Sequence, residues 1–537
     1  MDYDIVIFWF VLFSSLFGLA VLLARVRSVG SGWIVLYVGI LVVCLAGWFW
    51  KQKMLIFLAA AMWLLLVLLP GLIGQLYHRR FVQHQYASAR RLARIISYLH
   101  PADGWRQQPE IVRAHELAQR GEVAEATALL RRFQGSKSSV GIAAVTSLYR
   151  LTNQWEELLA WHAQHPREIA RHPQLLSGLL RACGETGDLR ALVEVYATHR
   201  QQIRKLIPAS TRDLFRLMLF AFCGKQEHKK RLFATSLAFL PAAVQELWLA
   251  TADQASGERE SARQRLEALL PAANPPLRSA IQRRLSRISI APEPLSAATQ
   301  SLIEHAAQEQ SQDESFGAQR SLFSKQAYGT QILIVLNVLM FAAEIYFGGG
   351  TNMDVLYRLG GMFPAAVRAG EWWRLVASLF LHFGVFHLAM NMLALWLLAP
   401  FIEFALGLRK FFFVYLLAGI GSMGVVMTFA SGPNRHQLTV GASGCVMGLV
   451  GATGALMLRG WLREKALSAR RRLVAMLVIV AMQTVFDSVV PQVSMTAHLS
   501  GTLIGFAAVM ILRDRLRPSA SARLNAGSAA TKAIPID

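Results

Sequence analysis

Residues 438–454 read LTVGASGCVMGLVGATG. The stretch is apolar enough to lie in a bilayer. Yet Ser443 stands among small residues, in Gly441-Ala442-Ser443-Gly444, where a helix should begin. Gly444, Gly448, Gly451 and Ala455 recur at intervals of three and four, so they form one small-residue stripe along a helix. Such a stripe lets a second helix come to backbone contact. A partner stripe lies at 495–512, MTAHLSGTLIGFAAVMIL, where Gly501 and Gly505 follow His498 by three and seven residues. Packing the two stripes together brings His498 to Ser443, since both lie near the outer ends of their helices. A histidine in hydrogen-bond reach of a serine is a general base for a nucleophile.

The rest of the chain supports a membrane setting. Its 537 residues are 54% hydrophobic and 16% charged, with mean hydropathy +0.37. That is too apolar for a soluble protein of this size. Windows of about 20 residues without charge span a bilayer as helices. Three occur early, at 5–24, 31–50 and 54–77. Six largely apolar windows follow later, at 328–347, 383–404, 411–430, 441–458, 473–486 and 495–512. The expectation is an all-α polytopic membrane protein with nine spans. The first run lacks a basic n-region and reads as a span, not a signal peptide.

The net charge of +22 does not point to nucleic acid, because its distribution follows the spans. Arg25 and Arg27 follow the first span, and Arg79, Arg80, Arg90, Arg91 and Arg94 follow the third. Arg409 and Lys410 separate the fifth and sixth. Arg459, Arg463, Lys465 and Arg470–Arg472 separate the seventh and eighth, and Arg513, Arg515 and Arg517 follow the ninth. All fall on one side if the N-terminus lies outside and the C-terminus in the cytoplasm. The opposite loops hold few basic residues: Lys51, Lys53, Arg358, Arg368, Arg374 and Arg435. The composition fits a bacterial inner membrane. Cys44, Cys183, Cys223 and Cys445 form no CxxC pair, and reduced thiols are expected.

Five domains are expected: membrane helices over 1–77, a cytoplasmic helical domain over 78–295, a polar linker over 296–326, a six-helix membrane domain over 327–513 and a tail over 514–537. In the second, breaks at Gly121, Asn153, Gly187, Gly224 and Gly257 interrupt an apolar helical pattern. Their spacings are 32, 34, 37 and 33 residues. A period near 34 looks like a degenerate tetratricopeptide-type array of helix pairs. Such an array is a docking surface for a cytoplasmic protein or peptide. The linker is rich in Gln, Ser and Glu.

Polar groups within the later spans narrow the chemistry, since ionisable residues at membrane depth are costly. His387 and Asn391 in LFLHFGVFHLAMNMLALW share one helix face, with His382 upstream. They can supply donors to an oxyanion, alongside the Ser443 N–H at its helix start. A metalloprotease would need HExxH, which is absent, and no metal or other cofactor is expected. A serine triad would need a carboxylate behind His498. Asp487 lies eleven residues earlier, in the outer loop region, and Asp514 lies at the cytoplasmic end. A Ser–His dyad is favoured.

These residues resemble the rhomboid family of intramembrane serine proteases, over about residues 327–513. GASG at 441–444 matches the nucleophile motif, which makes Ser443 the catalytic serine. AHLSGTLIG at 497–505 matches AHxxGxxxG, which makes His498 the base. HFGVFHLAMN at 382–391 matches the HxxxN element, implying that His387 and Asn391 stabilise the oxyanion. EWWRLVAS at 371–378 carries the Trp-Arg pair, Trp373 and Arg374, of a structural outer loop. Glu403 and Gly407, with Gly441, Gly444, Gly501 and Gly505, read as structural. The resemblance implies a six-helix core that cleaves single membrane helices of substrate proteins. One departure is Met447, at a position that is usually aromatic and stacks on the catalytic histidine. The competing expectation is a catalytically silent scaffold that binds client helices.

Overall fold

The computed structural model describes residues 3–23, 31–133, 139–167, 172, 175–205, 209–287, 294–317, 327–430, 437–490 and 493–516. Arg25, Arg27, Arg435 and Arg517 of the charge pattern lie outside them, as do 318–326 of the expected linker and 517–537 of the tail. The fold is all-α. Among the described residues the only strand-like pairing is an isolated antiparallel bridge between Met362 and Thr439. The chain divides into two compact units, Asp2–Ala307 and Gln308–Asp537.

The first unit opens with three apolar helices, α1 (Tyr3–Leu23), α2 (Ser31–Phe49) and α3 (Lys53–Val82). Phe8, Val11, Ile40, Cys44, Ile56, Ala59 and Val67 form their shared core. In α3 the turn over Leu64–Leu68 is a π turn, just before Pro70. Proline has no N–H to offer the carbonyl four residues back, and the helix widens to absorb that loss. Helical hairpins follow. Gly121, Asn153, Gly187, Gly224 and Gly257 each separate two helices, and all five have positive φ, from 55° at Asn153 to 100° at Gly121. Glycine, and less readily asparagine, takes this conformation at low cost. The helix Pro275–Ser286 then runs back past the earlier turns. Arg283 donates to the Asn153 carbonyl at 3.3 Å, and Arg284 donates to both oxygens of Glu185, at 2.9 and 3.2 Å.

The described part of the expected linker is largely helical. A helix covers Ala297–Gln312. Ile303 and Ala306 are buried in the core of the first unit. Their helical spacing outweighs the polar composition around them. In the second unit, Phe316 is buried against Gly460, and Arg472 donates to its carbonyl at 2.9 Å.

The second unit holds α4 (Tyr328–Tyr346), α5 (Val385–Leu406), α6 (Leu408–Phe429), α7 (Ser443–Glu464), α8 (Leu467–Val489) and α9 (Met495–Ile511). The first five of these, with α1–α3, are long and apolar enough to cross a membrane. At 17 residues α9 is shorter, roughly 26 Å against a hydrocarbon core of about 30 Å. The charge-free window 473–486 underestimates α8, which spans 23 residues. Its first turns contain Arg470–Arg472, and its last contains Asp487. The most enclosed span is α7, with 83% of its apolar window buried.

Two ties, one centred on a carboxylate and one on a guanidinium, fix the frame. Glu403 on α5 accepts from the Gly329 and Thr330 N–H groups at 2.7 and 2.9 Å and from the Thr330 hydroxyl at 2.8 Å. A carboxylate at a helix N-terminus meets free donors and the positive dipole end. Arg374 is buried between α4 and α5. It donates to the carbonyls of Tyr357 and Gly361 at 2.6 and 3.1 Å and to Glu371 at 2.6 Å, and it stacks on the Tyr357 and Trp373 rings. Trp373 itself is half exposed.

Candidate active site

Helices α7 and α9 pack more intimately than any other pair. A methyl group on Gly501 would collide with the Gly444 carbonyl, and one on Gly505 with the Gly448 carbonyl. One on Gly451 would collide with the Thr502 carbonyl. The two stripes interlock at backbone contact, so a side chain at any of these positions would drive the helices apart. At their outer ends, a methyl on Gly444 would lie 3.8 Å from the Ala497 carbonyl. Ser443 precedes Gly444 on α7 and His498 follows Ala497 on α9, so the serine turn and the histidine turn lie at this end of the interlock.

Gly441 has φ +128°, a conformation that favours glycine. Its N–H donates to the Ser378 carbonyl at 2.9 Å. This turn ends the preceding segment and lets Ser443 open α7. The Ser443 N–H is therefore one of four with no intrahelical acceptor. A methyl on Gly441 would sit 2.9 Å from His387 Nε2 and 3.8 Å from Ser443 Oγ. The imidazole and the hydroxyl face the same point.

Hydrogen bonds assign the two rings opposite roles. The Phe383 N–H donates to His387 Nδ1 at 3.3 Å, so the ring hydrogen sits on Nε2, which is a donor. On His498 the pattern is reversed. Nδ1 lies 2.8 Å from Asp487 Oδ2, and a carboxylate only accepts, so Nδ1 carries the hydrogen and Nε2 is left basic. Gln483 Nε2 approaches the same Nδ1 at 3.3 Å, but it donates to Asp487 Oδ1 at 2.7 Å. The shorter contact to a charged acceptor prevails.

Asn391 is buried one turn beyond His387, and its Nδ2 has no partner among the described residues. His382 is buried too. Its N–H donates to Glu344 at 2.8 Å, its Nδ1 donates to the Phe380 carbonyl at 3.2 Å, and its ring meets His387 edge-on. Met447 is buried one turn into α7. Asp514, the other carboxylate weighed against His498, pairs with Arg459 at 2.8 Å.

One expectation is corrected here. Asp487 is not in an outer loop. It belongs to the last turn of α8, is buried, and stands directly behind His498. The signal was present as an acidic residue at the edge of an apolar run, next to a span that begins within ten residues.

Comparison with known proteins adds an independent line. A model of the Rhomboid domain matches residues 369–515. The rhomboid protease GluP of Bacillus subtilis is 33% identical over 183 residues, 34% of this chain and 34% of that protein. The putative rhomboid protease YdcA of the same organism is 33% identical over 140 residues, 26% of this chain and 67% of its own length. The rhomboid protease AarA of Providencia stuartii is 26% identical over 194 residues, 33% of this chain and 69% of its own. The alignment with GluP leaves about two thirds of that relative unmatched. The matched region holds α5–α9 and every polar residue of the site, and the chain belongs to the rhomboid family.

Proposed function

We propose that the chain is an intramembrane serine endopeptidase that cuts membrane-protein substrates, with Ser443 as nucleophile and His498 as general base. The observation that carries this reading is the glycine interlock of α7 and α9, which sets the serine turn against the histidine turn. Ser443 Oγ attacks a peptide carbonyl carbon as its proton passes to His498 Nε2. The oxyanion takes hydrogen bonds from the Ser443 N–H, His387 Nε2–H and Asn391 Nδ2–H. Each such donor is typically worth about 10²–10³ in kcat. When the C–N bond breaks, His498 returns the proton to the departing amine. A water molecule, activated in the same way, then releases the acyl group. The basic clusters support an outward-facing site in a bacterial inner membrane, with the N-terminus outside and the C-terminus in the cytoplasm. The hairpins, at tetratricopeptide-like spacing, suit a cytoplasmic docking role.

The test is cleavage of a labelled single-span substrate by the purified full-length chain in detergent, beside Ser443→Ala. Loss of cleavage on substitution is expected. A fluorophosphonate should label the parent and spare Ser443→Ala. Equal cleavage by both forms would sink the reading and leave the silent scaffold.

A further inference from the structure

We infer that Asp487 is the positioning residue of the base: it holds the His498 imidazole in the tautomer and orientation that the reaction needs. The inference rests on the serine-protease reading above and replaces its two-residue machinery with three.

Three observations converge on it. The first is geometric. Asp487 Oδ2 lies 2.8 Å from His498 Nδ1, and both side chains are nearly solvent-free, at 1% and 6% exposed. The second concerns where the carboxylate sits. Asp487 is in the last turn of α8, at the negative end of the helix dipole, where an acidic side chain is disfavoured. It is also buried in an apolar unit, where an unpaired charge is costly. Among the described residues its side-chain partners are the Gln483 amide and the His498 ring, with no Lys or Arg. A local choice that costs stability twice, and is kept beside a candidate base, is the pattern of a functional site. The third is the contrast with His387. That ring accepts at Nδ1 from a backbone N–H and so presents a donor at Nε2. Without Asp487, the Gln483 amide 3.3 Å from Nδ1 would remain, and as a donor it would place the ring hydrogen on Nε2, the wrong nitrogen for a base.

The proton inventory is simple. Before attack, His498 carries one hydrogen, on Nδ1, held by Asp487. During attack Nε2 receives the serine proton, and the ring becomes a cation facing the carboxylate. Asp487 stabilises that cation and takes no proton itself. When the amine leaves, the Nε2 proton departs with it and the ring returns to its starting tautomer. Gln483 completes the arrangement by donating to Oδ1, which leaves Oδ2 to the histidine.

The test compares the full-length parent with Asp487→Asn, Asp487→Glu and Ser443→Ala in the same detergent and on the same single-span substrate. Asp487→Asn is expected to lower kcat by on the order of 10²–10⁴. KM and the thermal unfolding midpoint should stay close to those of the parent. Fluorophosphonate labelling of Ser443 should slow in parallel, because it needs the base but not the substrate site. Asp487→Glu, which keeps the charge, should recover part of kcat. If Asp487→Asn cleaves within threefold of the parent while Ser443→Ala is inactive, the inference fails and the protease reading stands. If Asp487→Asn and Asp487→Glu lose activity together with their unfolding midpoint, Asp487 is a stability residue and the inference is overturned. If Ser443→Ala cleaves like the parent, both readings fall.

Discussion

Each unit of this chain has one helix that ties distant elements together, and the two do so by opposite means. In the first unit it is Pro275–Ser286, gripped by charge. Arg284 pairs with Glu185, which Arg181 also reaches at 3.3 Å, and donates to the Thr251 hydroxyl at 2.7 Å. In the second unit it is α7, gripped by absence: glycine faces glycine, and the contacts are backbone to backbone. Charged side chains can reach across a gap and select their partners. Between membrane helices the hydrophobic effect gives little attraction, and close backbone approach takes its place. The charged grip should tolerate small changes of volume, whereas the glycine grip should tolerate none.

That contrast can be broken most decisively at Gly505. Gly505→Val pushes a branched side chain into the Gly448 backbone. It should separate α7 from α9 and reduce kcat/KM by on the order of 10³ or more, with a lowered unfolding midpoint. In the first unit the strongest test is Glu185→Ala, which strands Arg284 and Arg181 without their shared carboxylate. It should cost about 3 kcal/mol in the unfolding of that unit and leave cleavage unchanged.

Glu185 also carries a pH signature. Burial pushes its carboxyl up, but Arg284 and Arg181 outweigh burial and hold it below its ordinary value. A carboxyl depressed in the folded state contributes stability above its ordinary range, and that contribution is lost as pH falls through the folded value. The first unit should therefore weaken on acidification below the ordinary carboxyl range. Glu185→Gln should flatten that dependence in thermal melts at a series of pH values.

A smaller effect is expected at Gly441. Gly441→Ala places a methyl 2.7 Å from His387 Cε1 and strains a φ of +128°. Cleavage should fall by about 10²-fold, the worth of one displaced oxyanion donor. The least effect belongs to Gly257→Ala, at a left-handed hairpin turn. It should cost about 1 kcal/mol in the first unit and nothing in turnover.

What the sequence made legible follows the same division. The five hairpin turns were visible because left-handed backbone selects Gly and Asn, and those residues punctuate an otherwise periodic pattern. The interlock was visible because small residues at three- and four-residue spacing have few other uses in a membrane helix. The true extent of α8 was not visible. Charge-free windows stop at charges, and α8 keeps its helix through Arg470–Arg472 at one end and Asp487 at the other. For the same reason the charge pattern puts Asp487 in a loop, although it closes the last turn of α8. Eleven residues that cross a helix end and a turn obey no face rule, so nothing local ties Asp487 to His498. The helix over Ala297–Gln312 was hidden by its Gln- and Ser-rich composition, although Ile303 and Ala306 keep a helical interval.

The enclosure of α7 reaches beyond the site. It is the least apolar of the eight candidate spans and the most buried. Lipid barely touches it, so the bilayer does not dictate its residues. Thr453 and Arg459 are buried along its length, in company that a lipid-facing helix would not keep. The outer helices act as its solvent. Changes in bilayer thickness or lipid type would reach Ser443 only through them, which makes its helix the part of the membrane unit best insulated from the membrane.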